Sequence, residues 1–257
     1  MSTLYYEQKG SGPEIVFIHG WGLHGGIWGA VLDSLAQDFT VTTIDLPGHG
    51  RSPAYQGEMT LTRLADNVSR IVSKPVVWLG WSLGALVAMT LARQQPEKVR
   101  ALVLVAATPR FTKGDNWDSA MEPGTLQGFA DGLSEDYRAT LNRFLSLQTG
   151  RGESARELIR NLRTGVFRHG EPDQKSLAAG LRLLRDSDLR SDLPDIDRPC
   201  LLLHGKRDRL TPPAVATFLR DSLPQAKALI FDDAGHAPFL SHALDFSSAV
   251  KGFMYEL

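Results

Sequence analysis

Six short runs rich in Val, Ile and Leu recur along the chain, at 15–19, 41–45, 76–79, 101–106, 200–204 and 228–231. Between them lie stretches with helical apolar spacing, at 28–37, 61–72, 84–94, 214–222 and 243–255. Several of the short runs have almost no polar residue. A strand with no polar side is buried on both faces, the condition of a parallel strand covered by helices. Parallel strands need long crossovers, and the intervening helices supply them. The expected fold is therefore α/β, with a mostly parallel central sheet flanked by helices. A chain of 257 residues buries roughly three quarters of its unfolded surface and needs no covalent staple. Its single cysteine, Cys200, allows no internal disulfide and points to a reducing compartment.

The alternation fails between about 110 and 188, where no strand is expected and helical patterns appear at 153–167 and 174–185. That is too long for a plain connection. It is expected to be a helical cap inserted between two core segments, 1–109 and 189–257. A cap so placed lies over the sheet edge where open α/β sheets bind ligands. Residues 75–92 form an uncharged stretch of membrane-spanning length, but Gly80, Ser82 and Gly84 interrupt it. It reads as a buried strand, a tight turn and a buried helix. The first ten residues lack a basic start followed by an apolar run, so no secretory signal is expected and the protein is placed in the cytoplasm, as a monomer. Lys and Arg number 28 against 29 Asp and Glu, a net charge of −1, which argues against a nucleic-acid partner.

Chemistry concentrates at Gly80-Trp81-Ser82-Leu83-Gly84. This is the G-x-S-x-G pattern of a strand-to-helix turn that holds a serine in a strained backbone shape, with glycines where strand and helix pass closely. A serine hydroxyl attacks only if a base removes its proton. The order Ser, then acid, then His is met by Asp208, at the end of the 200–204 run, and His236, just after the 228–231 run. Among the seven histidines, His19, His24 and His49 precede the serine, and His19, His49 and His204 lie beside turn glycines. His169 falls in the insertion. His242 is the one serious rival to His236. Asp232 and Asp233 are too near His236 to pack behind it, and Asp115 is the alternative acid if that residue follows the preceding strand. Two backbone N–H donors would hold an oxyanion: Leu83, after the nucleophile, and Trp21, in the His19-Gly20-Trp21-Gly22 loop. No H-E-x-x-H pattern or P-loop lysine occurs. Neither a metal nor a cofactor is expected.

With these motifs in hand the sequence resembles the α/β-hydrolase superfamily over essentially its whole length. The resemblance runs through the elbow, the His-Gly-Trp-Gly loop, the Asp45-Leu46-Pro47-Gly48-His49-Gly50-Arg51-Ser52 turn and the Gly235-His236-Ala237-Pro238-Phe239 segment. More narrowly it is similar to the carboxylesterases of biotin synthesis that cleave pimeloyl-[acyl-carrier protein] methyl ester, which share Trp78-Leu79-Gly80-Trp81-Ser82-Leu83-Gly84 and Arg143-Phe144-Leu145-Ser146-Leu147-Gln148-Thr149. The resemblance implies a serine carboxylesterase acting on that ester without a cofactor. It implies that Trp21, Ser82, Leu83, Phe144, Leu145, Ser146, Leu147, Gln148 and His236 line the substrate site. It also implies that Arg143, Arg156 and Arg160 dock the acyl-carrier protein, while Arg138 is displaced by one position from the family pattern.

Charge patterning gives a separate indication. Between Arg138 and Arg168 there are seven Arg and two Glu, a local charge of +5, against −6 over the remainder. Arg156, Arg160 and Arg163 fall at helical spacings and share a face. A basic face is either simply solvated or a docking surface for an acidic partner, and acyl-carrier proteins are acidic. A broad short-chain carboxylesterase, a carbon–carbon bond hydrolase of the same fold and a non-catalytic binding protein are the competing readings. The complete Ser82, Asp208 and His236 set argues against the last.

Overall fold

In the computed structural model, which describes residues 4–147 and 167–257, seven strands form one sheet. They are β1 (Tyr6–Lys9), β2 (Glu14–Ile18), β3 (Thr40–Ile44), β4 (Val76–Trp81), β5 (Val99–Val105), β6 (Cys200–Gly205) and β7 (Ala226–Phe231). Their order is β1-β3-β2-β4-β5-β6-β7. Only β1 runs antiparallel, against β3; every other neighbouring pair is parallel. The interior strands are the apolar runs. All six residues of β4 and of β6 are buried, as double coverage by helices requires. The edge strand β1 has no apolar run to announce it: Tyr6, Glu7, Gln8 and Lys9 are all exposed, and the strand exists because its backbone pairs with β3.

The helices of the core are α1 (Gly29–Leu35), α2 (Leu61–Ser69), α3 (Leu83–Gln94), α6 (Ala214–Ser222), the short α7 (Pro238–Ser241) and α8 (Ala243–Glu256); between β5 and β6 come α4 (Pro123–Leu147) and α5 (Gln174–Asp186). The uncharged stretch at 75–92 divides into β4, a turn at Ser82 and α3, whose first ten residues are all buried. Among the described residues no helix is long and apolar enough to cross a membrane. Non-helical backbone at Asp136 breaks α4 into two helices. The helix expected at 153–167 lies almost wholly outside the described residues.

Two segments flanking α4 and α5 are tied together where they leave the sheet. Leu189 N–H donates to Pro109 O (2.9 Å), and Asp188 accepts from Arg110 (3.1 Å) and Arg190 (2.7 Å). Thr112 Oγ1 donates to Arg185 O (3.0 Å). Because β2 to β7 are parallel, their C-terminal ends share one edge of the sheet. The loops after β2, β4, β6 and β7, which carry Trp21, Ser82, Asp208 and His236, therefore gather there. The strand order reverses between β2 and β4, whose ends are in register at Ile18 and Gly80; such a reversal opens a crevice between the two loops that follow.

Candidate active site

Ser82 sits at φ 56°, ψ −114°, a backbone region that costs a non-glycine residue about 1–3 kcal/mol. The surrounding structure holds it there. Ser82 N–H donates to Val105 O (3.1 Å), and Ser82 O accepts from Ala85 and Leu86 as α3 begins. A methyl group at Gly80 would run into the Gly84 carbonyl, and one at Gly84 into the carbonyl of Ile18. The two glycines are thus required by the close passage of β4, α3 and β2.

Asp208 and His236 are brought together by the turns after β6 and β7. A side chain at Gly205 would collide with the carbonyls of Ala234 and Gly235, and Arg207 N–H donates to Ala234 O (2.9 Å). In that crossing His236 Nδ1 lies 2.7 Å from Asp208 Oδ2, with both side chains fully buried. The other carboxylate oxygen of Asp208 accepts from Leu210 N–H (2.8 Å) and Thr211 N–H (3.0 Å), and Thr211 Oγ1 donates to Oδ2. Burial opposes the carboxylate's charge. The His236 charge and the hydrogen bonds from His236 and Thr211 outweigh it and hold Asp208 below the usual carboxylate range. With Nδ1 given to Asp208, His236 Nε2 is buried and has no hydrogen-bond partner among the described residues. Trp81, next to Ser82, donates from its indole to His236 O (2.8 Å) and lies 5.7 Å from the imidazole, centroid to centroid.

Other candidates separate on geometry. His242 bonds Ser241 Oγ through Nδ1 (2.8 Å). Asp232 pairs with Lys206 and Asp233 with Arg207. Asp115 is exposed and its backbone carbonyl accepts from Arg190. His19 and His49 are fully buried pins. His19 takes Leu46 N–H at Nε2 (2.9 Å) and holds Gly20 O from Nδ1 (2.8 Å); His49 Nε2 accepts Gly22 N–H (3.2 Å). Burial keeps His19 neutral, with a pKa pushed down to about 3. The Gly20 carbonyl belongs to the same peptide as Trp21 N–H, so His19 fixes the plane of that donor.

Trp21 is buried. Its indole donates to Leu177 O of α5 (2.8 Å) and stacks edge-on with Phe144 of α4 (4.8 Å). Leu83 is buried at the start of α3. Phe144 and Leu145 are buried, whereas Ser146 is exposed and donates to Asn142 O (2.8 Å). Leu147 ends α4; Gln148, Arg156 and Arg160 lie outside the described residues. Arg143 is exposed, donates to Gly128 O (3.0 Å) and covers the Phe129 ring at 4.7 Å. Arg138 pairs with Glu171 and lies over Phe167. Among the described residues no group of three or more His, Cys, Asp or Glu is placed to hold a metal ion.

Sequence reasoning missed Thr211 and Leu177, and the contacts by which Trp81 holds His236 and His19 holds Leu46. Only Thr211 had a local signal: an Asp whose carboxylate accepts backbone N–H groups two and three residues on makes an Asx-type turn. The others act across the fold, over separations such as the 155 residues between Trp81 and His236.

A family model described as alpha/beta hydrolase fold matches residues 13–243. A protein of Yersinia pseudotuberculosis serotype IB named pimeloyl-[acyl-carrier protein] methyl ester esterase is 41% identical over 257 residues, covering 100% of this chain and 99% of its own length. One of the same name from Nitrosomonas europaea is 40% identical over 248 residues, covering 96% and 98%. Among solved structures, an esterase of Exiguobacterium antarcticum superposes with a TM-score of 0.90 at 22% identity, covering 98% of this chain and 99% of that one.

Proposed function

The chain belongs to the α/β-hydrolase family, and we propose that it hydrolyses the methyl ester of pimeloyl-[acyl-carrier protein], giving pimeloyl-[acyl-carrier protein] and methanol in biotin biosynthesis. It is a carboxylic ester hydrolase. Full-length relatives at 40–41% identity support the substrate. The chemistry rests on one observation: a buried Asp208–His236 hydrogen bond that leaves His236 Nε2 unpartnered among the described residues, in a histidine tied to Trp81, the residue beside Ser82.

In this proposal Ser82 Oγ attacks the ester carbonyl as His236 Nε2 takes its proton. The carbonyl oxygen gathers negative charge, and the N–H groups of Trp21 and Leu83 hold it. Each such donor contributes a factor of about 100 to 1,000 in rate. His236 returns the proton to the methoxide, methanol leaves, and an acyl-Ser82 remains. His236 then activates a water that frees the acyl chain and restores the serine. Asp208 orients the imidazole and stabilises its charged form. The apolar side chains of Trp21, Trp81, Leu83, Phe144 and Leu145 suit the methylene chain, and the sequence expectation adds Ser146, Leu147 and Gln148 to the lining. Residues 110–188 act as the cap, and Arg143, Arg156 and Arg160 meet the acidic carrier protein. A cytoplasmic setting fits a chain with a single, buried thiol, and light scattering tests the expected monomer.

Two substrates separate the parts of this proposal: the carrier-bound pimeloyl methyl ester and a small aryl ester. Ser82→Ala is expected to lower kcat on both by at least about a thousandfold; retained activity overturns the nucleophile. Arg156→Glu combined with Arg160→Glu is expected to lower kcat/KM about tenfold or more on the carrier-bound ester alone. Equal losses on both substrates sink the docking role.

A further inference from the structure

The loop that carries Trp21 is held from two sides. On the core side His19 fixes the Gly20 carbonyl and His49 takes the Gly22 N–H. On the other side the contacts among the described residues come from α4 and α5. The indole N–H of Trp21 ends on Leu177 O, in the first turn of α5. One turn on, Gly180 lies against the indole: a methyl group there would stand 2.6 Å from Trp21 Cδ1 and 3.0 Å from its Nε1, and 3.7 Å from Leu83 Cδ2. Gly180 therefore borders both residues whose N–H groups are assigned to the oxyanion. A methyl group at Gly22 would stand 2.7 Å from Leu141 of α4 and 3.9 Å from Leu177. Trp21 itself lies between two glycines, and Gly22 has φ +74°, so beyond the peptide that His19 holds the local chain does little to fix the Trp21 side chain.

We propose that α5 is a positioning element for the oxyanion site: the Leu177 carbonyl and the bare Cα of Gly180 together seat the Trp21 side chain, and so keep in place the residue whose N–H the His19 contact aims. Seating of α5 on the core and assembly of a competent oxyanion site are then one event. A donor turned away from the developing charge loses most of its effect while ground-state binding is little changed. The proposal rests on the serine esterase assignment above and names residues that act through Trp21 rather than on substrate.

A double-mutant cycle on the small aryl ester tests it, with active sites counted by a fluorophosphonate that labels Ser82. Trp21→Phe keeps an aromatic ring and removes the bond to Leu177 O. Gly180→Ala keeps that bond's partners and pushes the indole. Each is expected to lower kcat per labelled site about tenfold with KM changed less than about twofold. In the double variant the smaller ring makes room for the methyl group, so the loss should fall well short of the product of the two. A merely structural role would lower the melting temperature and the fraction of labelled sites but leave kcat per site unchanged. Unchanged kcat per site in both variants, or losses that multiply, overturns the positioning role. If either single variant fails to fold, the kcat and KM of the other decide. Absence of Ser82 labelling in the unmodified protein overturns instead the esterase assignment beneath it.

Discussion

At the scale of single residues, the imidazole of His204 is out of keeping with its surroundings. It is fully buried in β6, and neither ring nitrogen has a hydrogen-bond partner among the described residues. Burial first, and then the nearby His236, lower its pKa, opposed by Asp208, to about 4. An unfolded histidine titrates near 6.5, so between about pH 6.5 and 4 the unfolded chain binds the extra proton. Stability must therefore fall as the pH drops through that window, by up to about 3 kcal/mol from this residue. His19 acts with the same sign. Asp208, depressed below the usual carboxylate range, contributes stability that is present at neutral pH and lost only in stronger acid. We predict that His204→Leu flattens the dependence of melting temperature on pH between about 4 and 6.5. Thermal melts at several pH values check this, and parallel curves for the two proteins would refute it.

At the scale of elements, the two ends of the 110–188 segment are joined at the core surface. Asp188 holds Arg110 and Arg190 together, and Arg190 lies over the Trp117 ring at 5.5 Å. The group is partly exposed, so the pairs are screened and worth about 1 kcal/mol or less in total stability. Their effect is local: they fix the angle at which the helical segment leaves the sheet. Asp188→Asn is expected to leave the melting temperature within a few degrees and to speed proteolytic nicking between 110 and 188. Limited proteolysis followed by mass spectrometry reads this directly, and an unchanged cleavage rate would falsify the clamp.

At the scale of the whole molecule, a net charge of −1 conceals a polarised chain, +5 between Arg138 and Arg168 and −6 elsewhere. Part of that positive charge is engaged inside the protein: Arg138 with Glu171, and Arg143 with Gly128 O and Phe129. Steering of an acidic partner fades with salt, because the screening length shrinks from about 10 Å at 0.1 M to about 3 Å at 1 M. We expect kcat/KM for the carrier-bound ester to fall about tenfold or more between those ionic strengths while the small aryl ester changes little. A common salt dependence for both substrates would remove the steering argument.

The sequence by itself determined the order of strands and helices, and it singled out the elbow at Ser82, Asp208 and His236 as the candidate site. Each is written locally: a run with no polar side, a glycine two residues either side of a serine, an acid or a histidine just past a strand. The edge strand β1 was not written locally, because its four exposed residues pair only by backbone with β3. The tertiary structure alone decided which groups hold the site in place. Trp81 reaches the His236 carbonyl, His19 takes the Leu46 N–H, and the Trp21 indole reaches Leu177, 156 residues away. Such contacts form because parallel strands bring distant loops to one edge of the sheet. No spacing along the chain encodes which side chains then meet.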